Sequence, residues 1–382
     1  MQLVAGLMYD RYGPRILLGI MIAVCAIGAI IFGLSTSVWM LVLGRMLMGF
    51  ASAFAFVCAL GLISRWFDKR LFSTLTGIVM SMSSVGAISA AIPLVSLVLH
   101  FGWRKTTIYV GFAGLILSVL VFLIVKDEPK YSKKSKRFIN SKNNIMTPYK
   151  NQFNKELMSE EFKRLKKVLK NKHTWIIGLY AFFMWAPMTI FTELWGIPYL
   201  SKVANLSYAQ SNAYIAIIWV SVGIFSPVIG LFSEICGKRL LPLRITAIIG
   251  FFSIIFILIH PSMPKPLLSL SLFCFGIAPT GAILSFAVVK DINKSNLGAA
   301  IGFNNMMIVL GGLIFQPLVG VFLDILGTSN PRNTIYNSYG AKLPIDLSFA
   351  YQISLIIIPI CFLLGFIISL FFIKETHGNE YL

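Results

Sequence analysis

The sequence predicts an all-α polytopic membrane protein, and three observations carry that prediction. Hydrophobic residues make up 57% and charged residues 12% of the 382-residue chain, with a mean hydropathy of +0.81. A soluble domain averages about 25% charged residues. Ten apolar runs approach or exceed the roughly 20 residues that a helix needs to cross a bilayer. Near the start stands Gly6-Leu7-Met8-Tyr9-Asp10-Arg11-Tyr12-Gly13-Pro14-Arg15, and a second copy, Gly230-Leu231-Phe232-Ser233-Glu234-Ile235-Cys236-Gly237-Lys238-Arg239, follows 224 residues later. One such stretch would carry little weight, because acid-x-x-Gly-x-base arises by chance in many loops. Two copies, each leading into a membrane-length run, mark a duplicated membrane protein.

The runs are numbered 3 to 12. Span 3 covers about Pro14 to Leu34, span 4 Val38 to Ser64, span 5 Phe72 to Leu99 and span 6 Trp103 to Val125. Span 7 covers about Thr174 to Leu200, span 8 Ser207 to Ile235 and span 9 Pro242 to His260. Span 10 runs from Pro266 to Val289, span 11 from Leu297 to Leu326 and span 12 from Ala350 to Ile373. The repeat extends past the charged stretch. Gly77 and Pro93 in span 5 match Gly302 and Pro317 in span 11, and Gly102 matches Gly327. Span 6 ends in Lys126-Asp127-Glu128-Pro129 and span 12 in Lys374-Glu375-Thr376, so the two halves run in the same direction.

The chain divides into residues 1–125 (the tail of span 2 with spans 3–6), a basic linker at 126–173, and a six-span half at 174–382. Fifteen of the 33 Lys and Arg, and five of the 14 Asp and Glu, fall between Lys126 and His173. The net charge of +19 therefore sits in loops beside spans and argues against a nucleic-acid partner. Within the linker, Met158, Phe162, Leu165 and Leu169 recur at helical spacing, which predicts an amphipathic helix lying on the membrane face, with a solvated charged helix as the alternative. Arg11/Arg15, Arg65/Lys69/Arg70, the linker, Lys238/Arg239/Arg244, Lys290/Lys294 and Lys374 gather on one side. The positive-inside rule makes that side cytoplasmic, with the linker and C-terminus, and a bacterial inner membrane is the expected location. The five cysteines lie in or beside apolar runs without metal spacing and are read as packing residues.

The paired charged stretch resembles the signature loop between helices two and three of the major facilitator superfamily, with its echo between helices eight and nine. The resemblance covers nearly the whole chain and implies a two-bundle fold of twelve helices, of which ten (four plus six) are complete here. In that family the acid of the loop latches onto the start of helix 11, which would set Asp10 against Asn296, Leu297 and Gly298. Gly6, Asp10, Arg11, Gly13 and Arg15, with Gly230, Glu234, Gly237, Lys238 and Arg239, are thus the candidate conformational latches. Glu234 in place of aspartate argues less strongly for an equivalent latch in the second half. The alternative is a plain turn whose charges only set topology, bent by Gly13 and Gly237.

Two spans carry polar faces. In span 4, Arg45, Gly49, Ser52 and Phe56 share one side, and Leu43, Leu47, Phe50, Phe54 and Val57 cover the other, which is expected to meet lipid. A charge in mid-bilayer costs about 2.5–3.5 kcal/mol, so Arg45 is expected at a cavity, although snorkelling to the interface is open to it. In span 7, Trp185, Thr189, Thr192 and Glu193 cluster on one arc, while Tyr180, Met184, Phe191 and Trp195 are expected to face lipid. Gly196-Ile197-Pro198 is expected to interrupt that helix. Arg45, Ser52, Trp185, Thr189, Thr192 and Glu193 are the candidate substrate and proton pathway, and the family's path-lining helices would let Arg45 and Glu193 face each other. An interfacial Glu193 is the alternative. Gly298, Asn305, Gly312 and Gln316 on span 11 are read chiefly as helix packing.

These features predict a secondary active transporter that moves a small solute by alternating access, coupled to protons and acting as a monomer in the lipid bilayer. No Gly-x-x-x-x-Gly-Lys phosphate loop, metal cluster, cofactor motif or catalytic pairing occurs, so an enzyme is not expected. A non-transporting membrane sensor or scaffold is the alternative from another class. The repeat adds one expectation. Fifty-six residues separate Thr174 from Gly230, whereas five precede Gly6. The sequence as given is therefore expected to lack span 1 and nearly all of span 2, and an inactive truncated fragment is the corresponding alternative.

Overall fold

The computed structural model describes residues 2–91, 93–127, 163, 165–293, 296–326, 335–336, 342–343 and 347–376. The helices are α1 (Gln2–Tyr12), α2 (Pro14–Gly33), α3 (Val38–Trp66), α4 (Phe72–Ala91), α5 (Pro93–Ile124) and α6 (Lys172–Met188). A π-helical turn (Thr189–Trp195) leads into α7 (Gly196–Lys202), α8 (Tyr208–Cys236), α9 (Leu240–Ile259), α10 (Lys265–Ile277) and α11 (Thr280–Ile292). The last are α12 (Leu297–Ile325), α13 (Leu347–Leu355) and α14 (Ile357–Phe371), after a two-residue antiparallel pair, β1 (Ile335–Tyr336) with β2 (Lys342–Leu343). Among the described residues, ten helical segments are long and apolar enough to cross a membrane. They match spans 3 to 12.

Local chemistry explains where these helices begin and end. Pro14 starts α2, where its missing N–H costs nothing. Ser37 caps α3 by accepting from Met40 N, and Ser207 with Gln210 forms a reciprocal capping box on α8. Gly237, left-handed at φ 62 and ψ 26, ends α8.

Three elements differ from the sequence reading. The charged stretch is mostly not a turn: Gly6 to Tyr12 is the end of α1 and Gly230 to Cys236 the end of α8, with one glycine as the joint in each copy. Charged residues in the last helical turns at a membrane surface look like loop in sequence, yet only a positive φ requires glycine. Span 7 does not break at Gly196-Ile197-Pro198. It widens into the π-turn one step earlier and continues to Lys202, since an inserted residue can absorb the mismatch of a helix carrying Pro187 and Pro198. Span 10, read as continuous, is interrupted at Ala278-Pro279. In the linker, Met158 and Phe162 lie outside the described residues, as does Gly327. Residues 165–170 are helical, with Val168 buried and Lys166, Lys167 and Lys170 exposed.

By contact the chain forms two units. The first comprises Met1–Phe72, Leu94–Thr174 and Asn293–Asn305. Here α2 packs along α3 through a glycine crossing, in which a Cβ on Gly44 would lie 2.8 Å from Gly28 O. Ser118 of α5 donates to Gly19 O at 2.8 Å. The second unit comprises Ser73–Pro93, Trp175–Ile292 and Met306–Leu382, so α4 packs with α8. Within it, α9 packs on α14 and α10, and the spans Lys172–Lys202 and Lys265–Ile292 are its most buried.

Candidate functional site

In the first unit, α1 crosses the start of α12 backbone to backbone. A Cβ on Gly6 would collide with Gly298 O, and one on Gly302 would lie 2.6 Å from Gln2 O. The Asn305 amide donates to Gln2 Oε1 at 2.7 Å beside this crossing. The side chains of Asp10 and Arg11 lie outside the described residues. The crossing nonetheless brings α1 against the first turn of α12 one helical turn before Asp10. Gly13 (φ 78, ψ 155) then redirects the chain into α2. The new helix is capped by Asp127 from the end of span 6, whose Oδ1 accepts from Arg15 N at 2.8 Å. The Arg15 guanidinium donates to Phe122 O at the last turn of α5, a favourable place for a cation.

The second unit repeats these contacts with other residues. A Cβ on Gly230 would lie 2.7 Å from Ser73 C and 2.8 Å from Thr74 N, and Gly77 meets Ser226 O and Pro227. Glu234 occupies the N-terminus of α4. Its Oε1 accepts from Ser73 N (2.9 Å) and Thr74 N (3.2 Å), and its Oε2 from the Thr74 hydroxyl (2.6 Å). The extra methylene of glutamate lets the carboxylate reach three donors at a helix start. Glu375 caps α9, accepting from Arg239 N (2.7 Å) and Leu240 N (3.1 Å). The buried Arg239 guanidinium donates to Ser73 Oγ (2.6 Å) and Ser233 Oγ (3.1 Å). Its Nε faces Asp291 Oδ2 at 3.4 Å, an ion pair without hydrogen-bond geometry. Lys238 stays exposed.

Inside the apolar spans, the candidate pathway residues differ in burial. Trp185, Thr189 and Thr192 are buried, and the two hydroxyls donate to their own helix at Ala186 O and Met188 O. Glu193 is exposed. The face expected to meet lipid is buried: Tyr180, Met184 and Phe191 have no exposure, and Tyr180 donates to Leu243 O at 2.9 Å. In α3, Phe54 and Val57 are likewise buried rather than lipid-facing, while Leu43 is exposed. Lipid and protein interior are equally apolar, so hydrophobic patterning cannot tell them apart. Arg45, Gly49 and Ser52 are all exposed, and the Arg45 guanidinium lies 4.8 Å from the Phe32 ring centre.

A residue read as packing joins Glu193. The Gln316 amide of α12 donates to Thr189 O at 2.9 Å and to Glu193 Oε2 at 3.4 Å. Trp195 Nε1 donates to Gln316 O at 2.9 Å. The packing reading holds for Gly298 against Gly6 and for Gly312 against Thr189. Asp127 and Glu375 were visible only as matching acids at the ends of the halves, a signal that could have named them as caps.

Ten spans, a duplicated charged stretch that meets helix starts and a carboxylate set within an apolar span define a multi-pass membrane protein. The chain belongs to the Major Facilitator Superfamily, whose family model matches residues 1–316. It is similar to a hexuronate transporter of Bacillus subtilis (strain 168), 24% identical over 336 residues, which cover 85% of this chain and 75% of the relative. A nitrate/nitrite transporter of Nostoc punctiforme is 28% identical over 146 residues, 36% of this chain and 29% of that protein. Probable anion transporter 4, chloroplastic, of Arabidopsis thaliana is 21% identical over 349 residues, 85% and 62%. The chain thus spans between about three tenths and three quarters of these relatives. These three relatives are named as transporters.

Proposed function

We propose that the chain moves a small anionic solute by alternating access and couples that movement to protons through Glu193. The observation that supports this reading is the setting of the carboxylate. It stands exposed on a π-turn within a membrane span, hydrogen-bonded to one amide. Among the described residues, no cation lies within ion-pair distance of it. Ionisable groups at such depth are expensive and mark transport paths, and π-turns often accompany them. Anionic substrates are favoured by the relatives' names (hexuronate, nitrate/nitrite, anion) and by Arg45, an exposed cation in a span. One charge crossing 100 mV supplies about 2.3 kcal/mol, enough for roughly 50-fold accumulation. On this reading the chain works as a monomer in a bacterial inner membrane, with the basic linker and C-terminus in the cytoplasm. Asp10 and Glu234 act as conformational latches, Glu234 through its hydrogen bonds at the start of α4.

The test is uptake of hexuronate and of nitrate by liposomes carrying the chain, with and without an imposed proton gradient. Glu193→Gln should abolish uphill accumulation while leaving downhill exchange measurable, because a neutral amide cannot carry a proton. Arg45→Ala should lower both modes. Wild-type accumulation by the Gln variant would overturn the coupling.

A further inference from the structure

Gln316 touches the π-turn at three points. Its Nε2 donates to the carbonyl of Thr189, the first residue of the turn, and to the Glu193 carboxylate in its middle. Its backbone carbonyl accepts from the indole of Trp195, the last residue of the turn. That indole lies beside Gly320, where a Cβ would come 3.3 Å from the ring, so α12 is notched to receive it. One residue therefore holds both ends of an irregular turn and the ionisable group between them.

We infer that Gln316 is a positioning residue that makes the grip of α12 on the π-turn depend on the charge of Glu193. The inference rests on the reading of Glu193 as the proton carrier. A primary amide has two N–H donors. One satisfies Thr189 O, and the other points to the carboxylate, where a charged acceptor makes a stronger bond than a neutral one. Protonating Glu193 weakens that second bond. The amide then loses the partner that orients it, and the bond to Thr189 O weakens with it. A π-turn held open by a neighbouring helix is thereby released toward ordinary helix.

The other ionisable groups at the ends of these helices do not offer the same coupling. Tyr199 of α7 donates its hydroxyl to Ile257 O at 2.8 Å. Lys202 lies nine residues beyond Glu193 along the same span, and Asp324 eight beyond Gln316 on α12. Among the described residues, no cation lies within ion-pair distance of Glu193. The amide is its hydrogen-bonding partner there.

The experiment uses the full chain in lipid nanodiscs and needs no substrate. Infrared difference spectra across pH, with Glu193→Gln as the subtraction, report whether the carboxyl takes a proton. Hydrogen exchange of the Thr189–Trp195 amides, corrected for intrinsic rates, reports the grip. The wild type should show the carboxyl band and, over the same pH range, a fall in protection of about tenfold as Glu193 is protonated. Gln316→Met, similar in size but without donors, should keep the band and lose the pH step, with low protection throughout. A band together with a wild-type-sized step in Gln316→Met would overturn the inference and leave the proton reading standing. An absent band would overturn both.

Discussion

The two copies of the charged stretch share a contact plan but few residues. In each, the first glycine lets one helix meet the start of another: Gly6 against Gly298, and Gly230 against Ser73 and Thr74. In each, an acid from the end of the last span of its half caps the next helix. Asp127 does so with one bond and Glu375 with two. The joints differ. Gly237 is an ordinary left-handed helix end, whereas Gly13, at φ 78 and ψ 155, lies where glycine alone is comfortable. What the duplication preserved is therefore the position of a carboxylate at a helix start, and the side chain that delivers it changed.

The largest expected effect tests whether the crossings are equivalent. Gly6→Leu and Gly230→Leu each force a side chain into backbone that cannot move aside, at a cost of about 3 kcal/mol. Thermal unfolding in detergent should show both variants strongly and similarly destabilised. A mild effect at one site alone would show that the crossings are not counterparts. The joints come next. Gly13→Asn should cost about 2 kcal/mol and Gly237→Asn under about 1 kcal/mol, because asparagine tolerates the left-handed region but not that of Gly13. Equal losses in the same assay would contradict the distinction. The caps should show the smallest effects. Glu234→Ala leaves two N–H groups and a hydroxyl without their acceptor, for about 2 kcal/mol, while Glu234→Gln retains an acceptor and should lose about half as much. If Gln proves as damaging as Ala, charge rather than hydrogen bonding holds α4.

Much of this architecture was legible in the sequence. Hydropathy located ten spans because the cost of exposing backbone in lipid leaves few alternatives to long apolar helices. The repeat located both joints because glycine at a positive φ is hard to replace. The faces of span 7 were not legible. Most of this span is buried by other helices, which are as apolar as lipid, so the arc holding Tyr180, Met184 and Phe191 could not be told from a lipid-exposed one. Gln316 was invisible as a partner of Glu193, because its role depends on a π-turn that shifts the register of span 7. The break at Ala278-Pro279 could have been suspected from proline, but Pro227 and Pro317 lie within unbroken helices. Proline alone does not decide.

The pairing of α4 with α8 has a consequence for biosynthesis. Ser81 donates its hydroxyl to Gly223 O, 142 residues later in the chain, and Ser73 waits for Glu234, 161 residues later. At about 5–20 residues per second, a ribosome needs roughly 10–30 s to supply that distance. Through that interval, the groups at the start of α4 must be satisfied by water or headgroups at the membrane surface. The Ser81 hydroxyl has only its own Gly77 carbonyl, 3.1 Å away. The nascent chain thus passes through a stage in which a serine-rich helix is in place before its partner exists.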